Sequence, residues 1–139
     1  MHPREIRPGV SYISSVHWER RLFDSLIPLP DGTSYNAYLV RGSEATALID
    51  ATDPELRQEL MSRLADVDHI DYVVSQHAEQ DHSGVIPDVL GRYPKARLLC
   101  SSKAKDLMES LMNVPTDRID VVEDGQSVSL GDKTLNFYY

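Results

Sequence analysis

Cysteine is almost missing from these 139 residues: Cys100 stands alone, so no internal disulfide can form. Its place beside Leu98 and Leu99 reads as a buried strand in a reducing compartment. No run of roughly 18 apolar residues occurs, which argues against a membrane-spanning helix. The start, Met1-His2-Pro3-Arg4-Glu5, lacks the apolar stretch of a signal peptide, so a soluble, cytoplasmic chain is expected. Neither glycine-rich phosphate-loop pattern is present, which speaks against nucleotide binding by this segment. Basic residues are in deficit, 14 against 22 acidic, and the net charge of -8 repels nucleic acid and anionic membrane surfaces. Repeats, low-complexity tracts and Pro/Gly/Ser-rich linkers are also absent, so the chain reads as one unit.

What is present is a core: 41% of the residues are hydrophobic, enough for one α/β domain. Apolar and β-branched runs predict strands at 10–15, 22–29, 35–40 and 45–49, separated by Asp31-Gly32 and Gly42-Ser43, as an antiparallel meander. Thr52 with Glu55 forms a capping-box pattern, and Leu56, Leu60 and Leu64 recur on one face, predicting a helix over about 53–64. A strand at 70–75 leads into a polar run. Ser83 is placed to cap a helix through Leu90, and 97–100 reads as a strand. Ser101 caps a second amphipathic helix marked by Leu107, Met108, Leu111 and Met112, and strands follow at 119–122, 128–130 and 134–139. Tyr139 falls in mid-pattern, from which a truncated domain is expected.

The polar run is His77-Ala78-Glu79-Gln80-Asp81-His82. Histidine or carboxylate alone on a solvated loop says little, but four metal-type side chains in six residues, just past a strand end, point to a metal site. Read as extended chain, the period of two aims His77, Glu79 and Asp81 one way and His82 another, so one loop can serve two neighbouring ions. Imidazole beside carboxylate suits iron, manganese or zinc, and no cysteine lies near to favour a soft metal.

His77-x-Glu79-x-Asp81-His82, between a hydrophobic strand and Ser83-Gly84, resembles the metal motif of the metallo-β-lactamase superfamily. Hydrolytic members most often carry His at the third position; the Glu79 found here resembles the flavodiiron branch. Trp18, Leu22-Phe23-Asp24 and the stretch from Gly32 to Val40 are also similar to the start of a flavodiiron protein. The resemblance implies the amino-terminal half of an αβ/βα sandwich, a mixed sheet with two helices on one face, spanning 1–139. It implies that His77 and Glu79 serve one iron and Asp81 and His82 the other, in a centre reducing dioxygen to water or nitric oxide to nitrous oxide. Electrons would come from FMN in a following flavodoxin-like domain, absent here, and from a donor such as rubredoxin. The family's remaining ligands, a His, a bridging Asp and a last His, lie downstream, yet no histidine follows His82. In many members a histidine falls near the position of Asp24.

Four ligands, two per ion, predict weak metal binding by this segment alone, and an inactive one. The sheet face lacking its second half is expected to be apolar and to associate with another copy or expose a patch. The runner-up function is a zinc hydrolase of the same fold, and a non-catalytic association module is the third. Trp18 is expected to be a packing anchor, and His2 and His69 to face solvent.

Overall fold

The computed structural model describes residues 3–139; His2 lies outside the described residues. Its strands are β1 (Arg4–Arg7), β2 (Val10–His17), β3 (Leu22–Phe23), β4 (Ile27–Pro28), β5 (Thr33–Arg41), β6 (Thr46–Ile49), β7 (Tyr72–Val74), β8 (Arg97–Cys100), β9 (Ile119–Val121), β10 (Ser127–Ser129) and β11 (Thr134–Asn136). The helices are α1 (Arg57–Arg63), α2 (Gln80–Ser83), α3 (Ile86–Arg92) and α4 (Ser102–Met112). Seven strands form one mixed sheet in the order β1-β2-β5-β6-β7-β8-β9. The first four pair antiparallel, and of the expected meander 10–15, 35–40 and 45–49 are among them; β7, β8 and β9 run parallel to β6, each reached by a crossover.

Alternation along the strands assigns the two faces. Leu48, Val73 and Leu98 point into a core shared with Leu60 of α1 and Leu64 at its end, Ile86 and Val89 of α3, and Ala104 and Met108 of α4. Their neighbours Ile49, Val74 and Leu99 turn to the opposite face. That face is apolar, and the β10–β11 hairpin with Phe137 folds over part of it, packing Val128, Leu135 and Phe137 against Val74, Leu99 and Val122. Cys100 is buried, as expected. Among the described residues no helix is long and apolar enough to cross a membrane.

Several local expectations need correction. The run at 22–29 is a two-rung hairpin, Leu22 opposite Pro28 and Phe23 opposite Ile27, because Asp24 and Ser25 adopt positive φ and reverse the chain. The first helical turn is a 3-10 turn, Pro54–Leu56, and its cap is Asp53, whose Oδ1 accepts the Glu55 N–H at 2.9 Å. Thr52 is buried and its hydroxyl has no hydrogen-bond partner among the described residues. Ser101 caps α4 as predicted, but the buried face is Ala104 and Met108, leaving Leu107 and Leu111 exposed. β1, with four exposed polar or charged-flanked residues at the sheet edge, has no strand signal in the sequence.

Candidate metal centre

The 77–82 run lies past β7 at the carboxyl ends of the parallel strands and is fixed by groups from the neighbouring strand. Asp50, directly after β6, sits in the left-handed region at φ 57° and is buried. Its carboxylate accepts the Gln76 backbone N–H at 2.8 Å and the Gln76 Nε2 at 2.7 Å, clamping the residue before His77. The Ser75 hydroxyl donates to the His77 carbonyl at 2.9 Å, and the Ala51 N–H donates to the His82 carbonyl at 2.8 Å. Both ends of the run are therefore tied to β6.

The chain is extended only as far as Glu79; Gln80–Ser83 then closes the single turn of α2. The period of two expected across the whole run stops there, and Asp81 and His82 are placed by helical geometry instead. Ser83 does not cap α3. It ends α2, where its hydroxyl donates to the Ala78 and Glu79 carbonyls at 3.2 and 2.9 Å. Gly84 is required by packing: a Cβ there would stand 2.6 Å from both the Gln80 carbonyl oxygen and the Pro54 ring.

The four candidate side chains meet in neighbouring pairs. His77 Nε2 stands 3.8 Å from Glu79 Oε2, and His82 Nε2 stands 3.6 Å from Asp81 Oδ2. The two imidazoles adjoin, with ring centroids 4.5 Å apart. Glu79 is open to solvent, whereas Asp81 has only 12% of its side chain exposed. The run thus makes two adjacent donor pairs, one outward and one inward. Nitrogen and carboxylate oxygen donors fit iron or zinc, and each pair would be half of a complete ligand set.

Around these pairs the fold gathers residues that the sequence did not single out. Glu79 and Asp81 share a cleft with Asp24, Asp53 and Glu55, and the one cation among its lining residues is Arg20. Arg20 Nη1 pairs with Asp53 Oδ2 at 2.8 Å. Burial works against the Arg20 charge, but Tyr35, Asp53 and Asp81 outweigh it and raise the pKa. His17 is buried at the end of β2, with Nε2 3.1 Å from Glu55 Oε2. His17, Asp53 and Glu55 bring potential ligand atoms within 4.8 Å of one another. Each Asp53 oxygen accepts a hydrogen bond, from the Glu55 N–H and from Arg20, and Asp53 and Glu55 line the cleft with His17 behind Glu55. Tyr35, buried on β5, meets the His82 ring edge to face at 5.7 Å. Pairing of Val16 with Ser34 and His17 with Thr33 brings the ends of β2 and β5 together, a register invisible in the sequence.

Trp18 is 66% exposed, which overturns its reading as a packing anchor: it follows the last residue of β2 and projects from the sheet end. His69 is exposed, as expected.

A mixed sheet with helices on one face and a His-x-Glu-x-Asp-His loop at its strand ends defines a metallo-β-lactamase-type domain. The sequence profile of the metallo-beta-lactamase superfamily matches residues 30–139, and the chain belongs to that superfamily. Within it the chain corresponds to the amino-terminal part of flavodiiron proteins. It is 38% identical to the type A flavoprotein of Rhodobacter capsulatus over 98% of this chain and 32% of that protein. The rubredoxin oxygen:oxidoreductase of Desulfovibrio gigas superposes with a TM-score of 0.89 at 34% identity, over 98% of this chain and 34% of that one. The flavodiiron protein of Giardia intestinalis superposes at 0.87 and 28% identity, over 96% and 33%. The chain therefore spans about a third of the length of the relatives it matches.

Proposed function

We propose that this chain supplies part of the diiron centre of an oxidoreductase that reduces dioxygen to water or nitric oxide to nitrous oxide. In this reading His77 and Glu79 hold one iron, and Asp81 and His82 hold the other. The observation that carries it is the carboxylate Glu79, where hydrolytic relatives of the fold have an imidazole, paired with His77 at 3.8 Å beside the Asp81–His82 pair. A second anionic donor, beside Asp81, in place of a neutral one favours iron and lowers the charge of two adjacent cations.

Bound ferrous ions would supply electrons and a binding position for the diatomic substrate. The chain's own residues perform the rest. Asp50, Ser75 and Ala51 hold the loop, α2 orients Asp81 and His82, and the Arg20–Asp53 pair walls the cleft that Glu79 lines. With two donors per ion, the chain alone binds metal weakly and is inactive. In the intact protein, FMN in a flavodoxin-like domain would pass electrons from a rubredoxin-type donor, in a cytoplasmic homo-oligomer. The name of the D. gigas relative supports that donor and substrate.

The test is metal analysis and turnover of a version as long as the relatives. Glu79→Ala and Asp81→Ala should each lose iron and reductase activity together. Full turnover with iron retained would refute the assignment, and stoichiometric zinc with hydrolase activity would transfer it to the zinc-hydrolase class.

A further inference from the structure

A row of aromatic rings leads from the end of β2 to the 77–82 run. The His17 ring lies 6.2 Å from that of Tyr35, Tyr35 lies 5.7 Å from His82, and His82 lies 4.5 Å from His77, centroid to centroid. Tyr35 alternates along β5 with Ala37 and Leu39, which belong to the helix-covered core, and is itself 3% exposed. It is therefore a rigid, buried ring set against a candidate ligand that is partly open to solvent.

An imidazole can bind a metal ion only when its ring plane is correctly turned, because the nitrogen lone pair lies in that plane. In most metal sites a hydrogen bond from the other ring nitrogen fixes the plane. His82 lacks that guide: among the described residues neither of its ring nitrogens makes a hydrogen bond, and Asp81 Oδ2, 3.6 Å from Nε2, is beyond hydrogen-bond reach. Its backbone is held, by the Glu79 carbonyl at 3.0 Å and the Ala51 N–H at 2.8 Å, which leaves the two side-chain torsions free. The Tyr35 ring restrains those torsions. The two planes stand at 88°, the edge-to-face arrangement that aromatic pairs favour and an aliphatic side chain cannot reproduce.

We propose that Tyr35 is a positioning residue for the metal centre, its ring fixing the plane of the His82 imidazole by this edge-to-face contact. The proposal rests on the metal reading of the 77–82 run. The ring carries the role, so phenylalanine can replace Tyr35 and leucine cannot.

The experiment reads the 139-residue chain in two ways. In the metal-free wild type, NMR side-chain couplings of His82 and ring-to-ring Overhauser contacts with Tyr35 should report one rotamer. An imidazole averaged over its rotamers would overturn the proposal, and this measurement decides alone if Tyr35→Leu does not fold. Cobalt(II) titration, followed by paramagnetic broadening, then compares the wild type with Tyr35→Phe, Tyr35→Leu, His82→Ala and the Tyr35→Leu/His82→Ala pair. Met108→Ala, in the buried core on α4, controls for general loosening. Tyr35→Phe should bind within about twofold of the wild type and Tyr35→Leu about three- to tenfold more weakly, with no further loss in the His82→Ala background. Met108→Ala should melt at a lower temperature and keep the wild-type affinity. A loss in Tyr35→Phe or in Met108→Ala as large as in Tyr35→Leu, an equal loss in the His82→Ala background, or wild-type affinity in Tyr35→Leu would each overturn the proposal. If His82→Ala binds cobalt as the wild type does, the metal reading of His82 fails and the Tyr35 proposal falls with it. If His82→Ala loses binding while Tyr35→Leu keeps it, only the Tyr35 proposal fails.

Discussion

Replacing Asp50 tests how the loop is held. In Asp50→Ala, Gln76 loses the acceptor for its backbone N–H and for its side-chain amide, at 2.8 and 2.7 Å. Each bond is part-buried and charge-assisted, worth about 1 kcal/mol where water can partly replace it. The substitution also leaves a Cβ residue without a polar side chain at φ 57°, which costs about 1 kcal/mol more. The sum is about 3 kcal/mol, or roughly 10 °C in melting temperature for a domain of this size. Asp50→Asn should lose about 1 kcal/mol or less, because asparagine tolerates the left-handed region and the Gln76 amide can turn over to present its oxygen. Urea unfolding of both variants gives the two values, and hydrogen exchange at the Gln76 amide reports the clamp directly. An Asp50→Ala variant within 1 kcal/mol of wild type, with that amide still protected, would refute the role assigned to Asp50.

Gly84→Ala should cost about 1–3 kcal/mol by urea unfolding, since its methyl would crowd the Gln80 carbonyl and the Pro54 ring at 2.6 Å. Burial pushes the Cys100 thiol up to about 11, so roughly 0.1% is thiolate at pH 8, and labelling of the folded chain by a thiol reagent should await unfolding. Hydrogen bonding to Arg97 lowers the Asp120 pKa below its ordinary 3.8. That pair stabilises the fold above the ordinary value and its contribution fades as pH falls through the depressed one. Both side chains are over a third exposed, so salt should shrink the effect, and Asp120→Asn should flatten the acid limb of the stability curve only slightly.

The strongly patterned elements were legible in the sequence because their signals are local. β2, β5, β6 and β8 follow from β-branched and apolar runs, and Ser101 caps α4 through a bond three residues away. The errors fell where another part of the chain decides. Leu22 to Leu29 has the composition of one strand, yet positive φ at Asp24 and Ser25 folds it back. Asp53 displaces Thr52 as cap; its carboxylate also receives Arg20, from 33 residues earlier. Leu107 and Leu111 match the helical period but lie off the face that the sheet covers.

The sequence by itself determined the candidate chemistry: four side chains of metal-donor type in six residues, with the carboxylate Glu79 among them, are what the proposed metal site rests on. Only the tertiary structure decided what surrounds that loop. The turn of α2 separates the candidate donors into two pairs, Asp50 clamps the entry to the loop from the end of β6, and the paired ends of β2 and β5 bring His17 beside Glu55 and Tyr35 against His82. Ligand type is a property of single side chains, whereas their partners are set by strand register and by contacts across tens of residues, which no local pattern encodes.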